Sequence, residues 1–154
     1  MSTVQKTIEV ARPVSTVYNQ WTQFESLPEF MEGVKSIRQI DDKRVHWHAE
    51  IGGVDREWDA EITEQVPDQR ISWHSVDGPD NGGTVLFEPV DSGRTRVTVQ
   101  MDYKPEGIVE KAGDMLGAVE RRVEGDLERF REFIEKRTHE TGAWRGEIHG
   151  RNVR

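Results

Sequence analysis

From Val34 to Tyr103 the side chains alternate in character with a period of two, and from Ile108 to Arg137 they change to the period of an α-helix. No other feature limits the fold so strongly. A period of two sends successive side chains to opposite faces of a strand, so the first stretch predicts a sheet with one covered and one wet face. Six strands are read in it, over 34–40, 45–51, 58–62, 71–75, 85–87 and 97–103. Asp41-Asp42-Lys43, Gly52-Gly53, Pro67-Asp68-Gln69, the glycine-rich stretch 78–83 and Asp91-Ser92-Gly93 separate them. Connections this short between successive strands imply an antiparallel meander. In the helix, Ile108, Met115, Leu116, Val119, Val123, Leu127, Phe130 and Ile134 fall within about 60° of Ala112 on a helical wheel. One face is built for burial, and at about 1.5 Å per residue the helix extends about 45 Å, enough to cross a sheet.

Ahead of the meander, residues 3–10 alternate as a first strand. Pro13 then opens a helix carrying Val14, Val17, Tyr18 and Trp21, and a second short helix is predicted from Pro28 to a stop at Gly33. The order predicts an α+β domain over 1–140, a curved antiparallel sheet of about seven strands wrapped around the long C-terminal helix. Residues 141–154 lack periodicity and read as a flexible tail, with Trp144 available to dock on the body or on a second subunit.

Composition removes several chemistries. There is no cysteine, which excludes disulfides, thiolate zinc sites and cysteine nucleophiles. Twenty-one basic residues against 29 acidic give a charge of −8, the wrong sign for a nucleic-acid partner. No apolar run is long enough to span a membrane, so no stable membrane insertion is expected. Met1 to Lys6 lacks the apolar centre of a leader, so a cytoplasmic location is the expectation. The oligomeric state stays open.

Ile8 to Val14 leading into Val17-Tyr18-Asn19-Gln20-Trp21, then Phe24 to Met31 with its leucine-proline-x-phenylalanine turn, then Val34-Lys35-Ser36-Ile37 and the closing helix, resemble the START/Bet v 1-like (SRPBCC) superfamily. Within it they resemble the bacterial polyketide cyclase/dehydrase-like branch, over about residues 3–138. The resemblance implies a helix-grip fold with an apolar cavity between sheet and long helix. It implies no catalytic residue, because the branch shares no fixed catalytic motif.

Trp47, Trp58 and Trp73 lie on three successive strands in phase with apolar neighbours, which predicts one aromatic patch on the covered face. Phe87 and Met101 share that phase. Met115, Leu116 and Val119 belong to the first half of the long helix, and Arg56 and Tyr103 supply candidate polar tips. These ten residues are the candidate ligand-binding set. His46, His48 and His74, with Glu57, Asp59 and Glu61, have metal-ligating chemistry but the opposite phase, so they read as solvated surface, with no metal or cofactor expected. No G-x-S-x-G occurs and no catalytic residue is assigned. The reading is a binder or carrier of a small hydrophobic molecule, lipid-, polyketide- or quinone-like. A cyclase/dehydratase-type enzyme and a protein-interaction module are the alternatives. A solidly packed interior would leave only the architecture standing.

Overall fold

The computed structural model describes residues 2–31, 33–51, 54–77, 81–103, 109–137, 140–150 and 152–153, with backbone alone at 2, 51, 54, 103, 109–119 and 152–153. Strand β1 (Ser2–Val10) leads to helix α1 (Val14–Trp21) and a 3-10 turn (Phe24–Glu29). Six strands follow: β2 (Val34–Gln39), β3 (Arg44–Ile51), β4 (Val54–Val66), β5 (Arg70–Ser75), β6 (Asn81–Asp91) and β7 (Arg94–Tyr103). Helix α2 (Val109–Lys136) closes the body, and two short strands, β8 (Ile148–His149) and β9 (Asn152–Val153), end the described chain.

The sheet runs β1-β7-β6-β5-β4-β3-β2, every neighbour antiparallel. This is the curled meander that the period-two stretch predicts, with β1 returning to pair the last long strand. Its covered face carries Val4, Val10, Val45, Ala60, Ile62, Ile71, Val85, Phe87, Val97 and Val99, all buried. Over it, α2 buries Val123, Leu127, Phe130 and Ile134, the described half of the predicted stripe. The junction between β1 and α1 is pinned to the end of α2. Arg12 donates to the carbonyls of Glu135 and Arg137, and Glu135 accepts the Ala11 N–H at 2.8 Å. A guanidinium on the last carbonyls of a helix satisfies groups that have no partner inside it.

Two local features depart from the sequence reading. The second short helix begins at Phe24 rather than Pro28, because Phe24, Leu27 and Phe30 recur every three residues. That is the 3-10 period, and it buries all three on one side. Residues 140–149, which composition marks as a tail, run back along α1. The Thr141 N–H donates to Gln20 Oε1 at 2.9 Å and Gln20 Nε2 to Thr141 Oγ1 at 3.0 Å. The Trp144 N–H donates to Thr22 Oγ1 at 3.0 Å. β4 outruns β3, which ends at the pair Arg44–Glu61, and β8 takes the edge left free through Gln65–Ile148. Ile148 is fully buried there, which gives the segment its apolar anchor.

Candidate functional site

Trp47 and Trp58 are directly opposite across β3 and β4, and Trp73 on β5 is opposite Ile62. Cross-strand neighbours share a face, so the three indoles gather. Trp47 stacks on Trp58 with centroids 6.0 Å apart and planes 3° from parallel, and on Trp73 at 6.4 Å and 21°. Trp58 is buried against Ala49 and Ala60, whereas Trp47 and Trp73 are half-buried. Trp73 lies flat on β6 because residue 83 is glycine. A Cβ there would come within 2.6 Å of Trp73 Cζ2 and 2.9 Å of the Gln100 carbonyl oxygen. Glycine inside a strand marks such a close approach, and the sequence reading, which placed it in a turn, passes over it.

Trp47 and Trp73 form part of the wall of a cavity. Val45, Ala60, Ile62, Ile71 and Val85 extend the sheet side, and Trp21, Phe24, Leu27 and Met31 form the opposite side. The cavity bounded by the described walls has a volume of about 20 Å³. One water needs roughly 10–15 Å³ on that measure, so the resting cavity is small.

Its roof among the described residues comes from α1 and the 3-10 turn, not from α2. Trp21 sits edge-on to Phe30 (5.8 Å, 73°) and tilted against Phe130 of α2 (5.1 Å, 44°). Phe30 also meets Phe130 at 5.1 Å and Phe133 at 5.5 Å, so an aromatic cluster locks the roof to α2. Trp21, Phe24, Leu27 and Met31 are absent from the sequence-derived set. The signal was the leucine-proline-x-phenylalanine turn itself, four apolar residues grouped just before the sheet.

The other candidates are distributed differently. Phe87 is buried with its ring edge-on to Tyr18 at 5.3 Å, away from the cavity wall. Met101 is half-buried between Val4 and Gly83 on the covered face, packed on the core. Arg56 is half-buried opposite Ala49 and has interactions of its own. The side chains of Tyr103, Met115, Leu116 and Val119 lie outside the described residues, as does 78–80 of the glycine-rich stretch.

Polar chemistry lies outside the cavity. On the wet face His46 uses both ring nitrogens, Nδ1 against Asp59 Oδ1 at 2.7 Å and Nε2 against Glu57 Oε1 at 3.0 Å. The bonds to Asp59 and then Glu57 raise its pKa, and His46 in turn lowers that of Glu57. Among the described residues no three His, Asp or Glu side chains are arranged to hold a metal ion. No helix among them is long and apolar enough to cross a membrane.

Four enclosed donors or hydroxyls have no partner among the described residues: Trp21 Nε1, Trp58 Nε1, Tyr18 Oη and Gln65 Nε2. Each such buried group costs about 1–3 kcal/mol relative to a paired one. Burial pushes the Tyr18 phenol up to about 12, with the Gln65 amide and the Arg145 guanidinium opposing the rise. Arg145, from the returning C-terminal segment, is 5.5 Å from the Tyr18 ring and bridges Asp68 Oδ2 (2.8 Å) and Asn19 Oδ1 (2.6 Å).

Comparison with known proteins places this geometry. Residues 10–132 match the profile of the family described as polyketide cyclase / dehydrase and lipid transport. An uncharacterized 17.2 kDa protein of the melC2-rnhH intergenic region of Streptomyces lincolnensis is 52% identical over 149 residues, 96% of this chain and 99% of that one. Two solved structures share the fold at lower identity. The Zhui aromatase/cyclase from a Streptomyces species is 18% identical with a TM-score of 0.77, over 93% of this chain and 99% of that one. A START superfamily protein from Mycobacterium smegmatis is 16% identical with a TM-score of 0.71, over 87% and 97%.

Proposed function

Because the chain belongs to the polyketide cyclase/dehydrase and lipid-transport family, we propose that it binds a small, flat hydrophobic molecule against the Trp47–Trp73 wall. One observation carries this reading. Two stacked indoles stay half-buried in an apolar cavity while the sheet residues around them, Val45, Ala60, Ile62, Ile71 and Val85, are at most 3% exposed. A core built only for stability covers its largest side chains; here the largest are left for a guest. Stacking on an aromatic face adds about 0.5–1.5 kcal/mol beyond area burial, so flat molecules are favoured over flexible chains.

The resting volume is small, so a guest enters by displacing a wall. Met31, unbranched and half-buried just after the 3-10 turn in the cavity wall, is the side chain best able to yield. The aromatase/cyclase neighbour raises cyclisation as a second activity. Acid–base chemistry needs a titratable group beside the substrate, and the described walls contribute none, so they support binding.

Tryptophan-fluorescence titration with naphthalene- and anthracene-sized compounds, confirmed by native mass spectrometry, tests the reading. Micromolar binding is expected, weakened about fivefold or more by Trp73→Leu and by Trp47→Leu. Absence of any binding below millimolar concentrations refutes it.

A further inference from the structure

We propose that the returning C-terminal segment, residues 140–150, is an autoinhibitory strap: it holds the roof of the cavity against the sheet, and a flat guest displaces it on binding. This rests on the binding reading above. The strap is bonded at both ends. At the roof it meets the end of α1 on either side of the wall residue Trp21. There Thr141 exchanges two hydrogen bonds with Gln20, at 2.9 and 3.0 Å, and the Trp144 N–H donates to Thr22 Oγ1 at 3.0 Å. At the sheet, β8 pairs with β4 and the Gly150 N–H donates to the Thr63 carbonyl at 2.9 Å. Arg145 joins the two ends, bonding Asn19 Oδ1 on α1 and Asp68 Oδ2 in the turn after β4.

The cavity has no room for its guest while this tether is closed. Its volume of about 20 Å³ is little more than one water needs, far below what a two-ring hydrocarbon occupies. Room must come from parting roof and floor. The floor strands β3, β4, β5 and β6 are each paired on both sides, so the floor stays. The roof is joined to α2 by its ring cluster and by Arg129, whose Nε donates to the Phe30 carbonyl at 2.8 Å, so it lifts together with the end of that helix. Lifting it stretches the strap, which is bonded to roof and floor at once. At the roof's far end the Glu25 carboxylate, accepting the exposed Gln39 N–H at 3.3 Å, is a weaker tie. Fully buried Ile148 anchors the strap to the sheet, so the roof end is the one that opens. Its bonds are hydrogen bonds and a partly exposed ion pair, each of small net worth against water. Such a device is reciprocal: whatever loosens the strap tightens the guest, and the guest loosens the strap by the same factor.

The test titrates naphthalene into wild type and into the double variant Thr22→Val, Arg145→Met. The variant removes the acceptor of the Trp144 N–H and the Arg145 bridge, and neither residue is in the cavity wall. It should bind naphthalene about fivefold or more tightly than wild type. Equal or weaker binding by the folded variant overturns the inference and leaves the binding reading intact. Failure of wild type to bind overturns the binding reading, and this inference with it. A second measurement needs no variant. In wild type, saturating naphthalene should quicken hydrogen exchange of the Thr141 and Trp144 N–H groups about fivefold or more, and not that of the Gly150 N–H at the anchored end. Exchange at Thr141 and Trp144 that is unchanged or slowed by bound naphthalene, or quickened equally at all three, overturns the inference even if the double variant does not fold.

Discussion

Gly83→Ala tests the aromatic wall at its support. The added methyl would be 2.6 Å from Trp73 Cζ2, 2.9 Å from Cη2 and 2.9 Å from the Gln100 carbonyl oxygen. One obstacle is a rigid ring and the other is backbone in the paired strand, so rotation about a flexible side chain relieves neither. Overpacking of this kind costs about 1–3 kcal/mol. Alanine recovers about 0.5–1 kcal/mol of that, because glycine loses more conformational freedom in a strand. The expected net loss is about 0–2.5 kcal/mol, read as a lower urea midpoint with an unchanged slope. The ring must also lift off β6, so the exciton signal of the Trp47–Trp73 stack in the circular dichroism spectrum should weaken in the folded variant. Gly93→Ala is the control, since its nearest neighbour outside the adjoining residues would be 3.9 Å away. A Gly83→Ala protein as stable as wild type, with its tryptophan dichroism intact, would refute the claim that glycine is there to seat the indole.

Ile148→Ala, in the segment that composition marks as a tail, should cost about 2–5 kcal/mol in urea denaturation, the range for a fully buried isoleucine; a loss below 0.5 kcal/mol would show the segment is not part of the fold. Tyr18→Phe should change stability by no more than about 1 kcal/mol in either direction, because the deleted hydroxyl is buried with only the Gln65 amide beside it and makes no hydrogen bond of normal geometry. The same variant bears on alkaline pH. With its phenol pushed up to about 12, native Tyr18 holds a proton that the unfolded chain releases near 10, so stability falls between those values and Tyr18→Phe should flatten that decline. His46 works in the neutral range. Its pKa is raised in the folded state by Asp59 and Glu57, so its contribution is full below about 6.5 and is lost as pH rises through the folded value. Urea midpoints across this range should decline with pH in wild type and not in His46→Gln.

Much of the wall was legible because alternation is a local property. Trp47 lies five residues before Gly52 and Trp58 five after Gly53, so a turn centred on the glycine pair sets them opposite each other, as they are. The buried stripe of α2 follows from its spacing in the same way. What local pattern does not carry is the partner of a side chain. Asn19 and Gln20 are polar residues outside the apolar spacing of a short helix, yet both are buried, because Thr141 and Arg145 return from more than a hundred residues away to bond them. Trp21 falls at helical spacing with Val14, Val17 and Tyr18, but only the assembled fold shows that it lines the cavity.

The point where alternation fails also shapes the site. Between the pairs Ile62–Trp73 and Glu64–Ser72 the register shifts by one residue on β4, leaving Thr63 as a bulge. Before the bulge the even positions Trp58, Ala60 and Ile62 face the core; after it Gln65 does, opposite Ile71. Extended without the bulge from the pairs Val66–Arg70 and Gln65–Ile71, the ladder would set Trp73 opposite Thr63 and bring the odd positions Thr63 and Glu61 to the covered face in place of Ile62, Ala60 and Trp58. One extra residue thus keeps Trp58, Ala60 and Ile62 on the face that Trp73 and Ile71 share and, by the same change of phase, sends the Gln65 amide into the interior beside Tyr18. The unpaired polar atoms at Tyr18 and Gln65 are therefore a cost of building the aromatic wall rather than a second site.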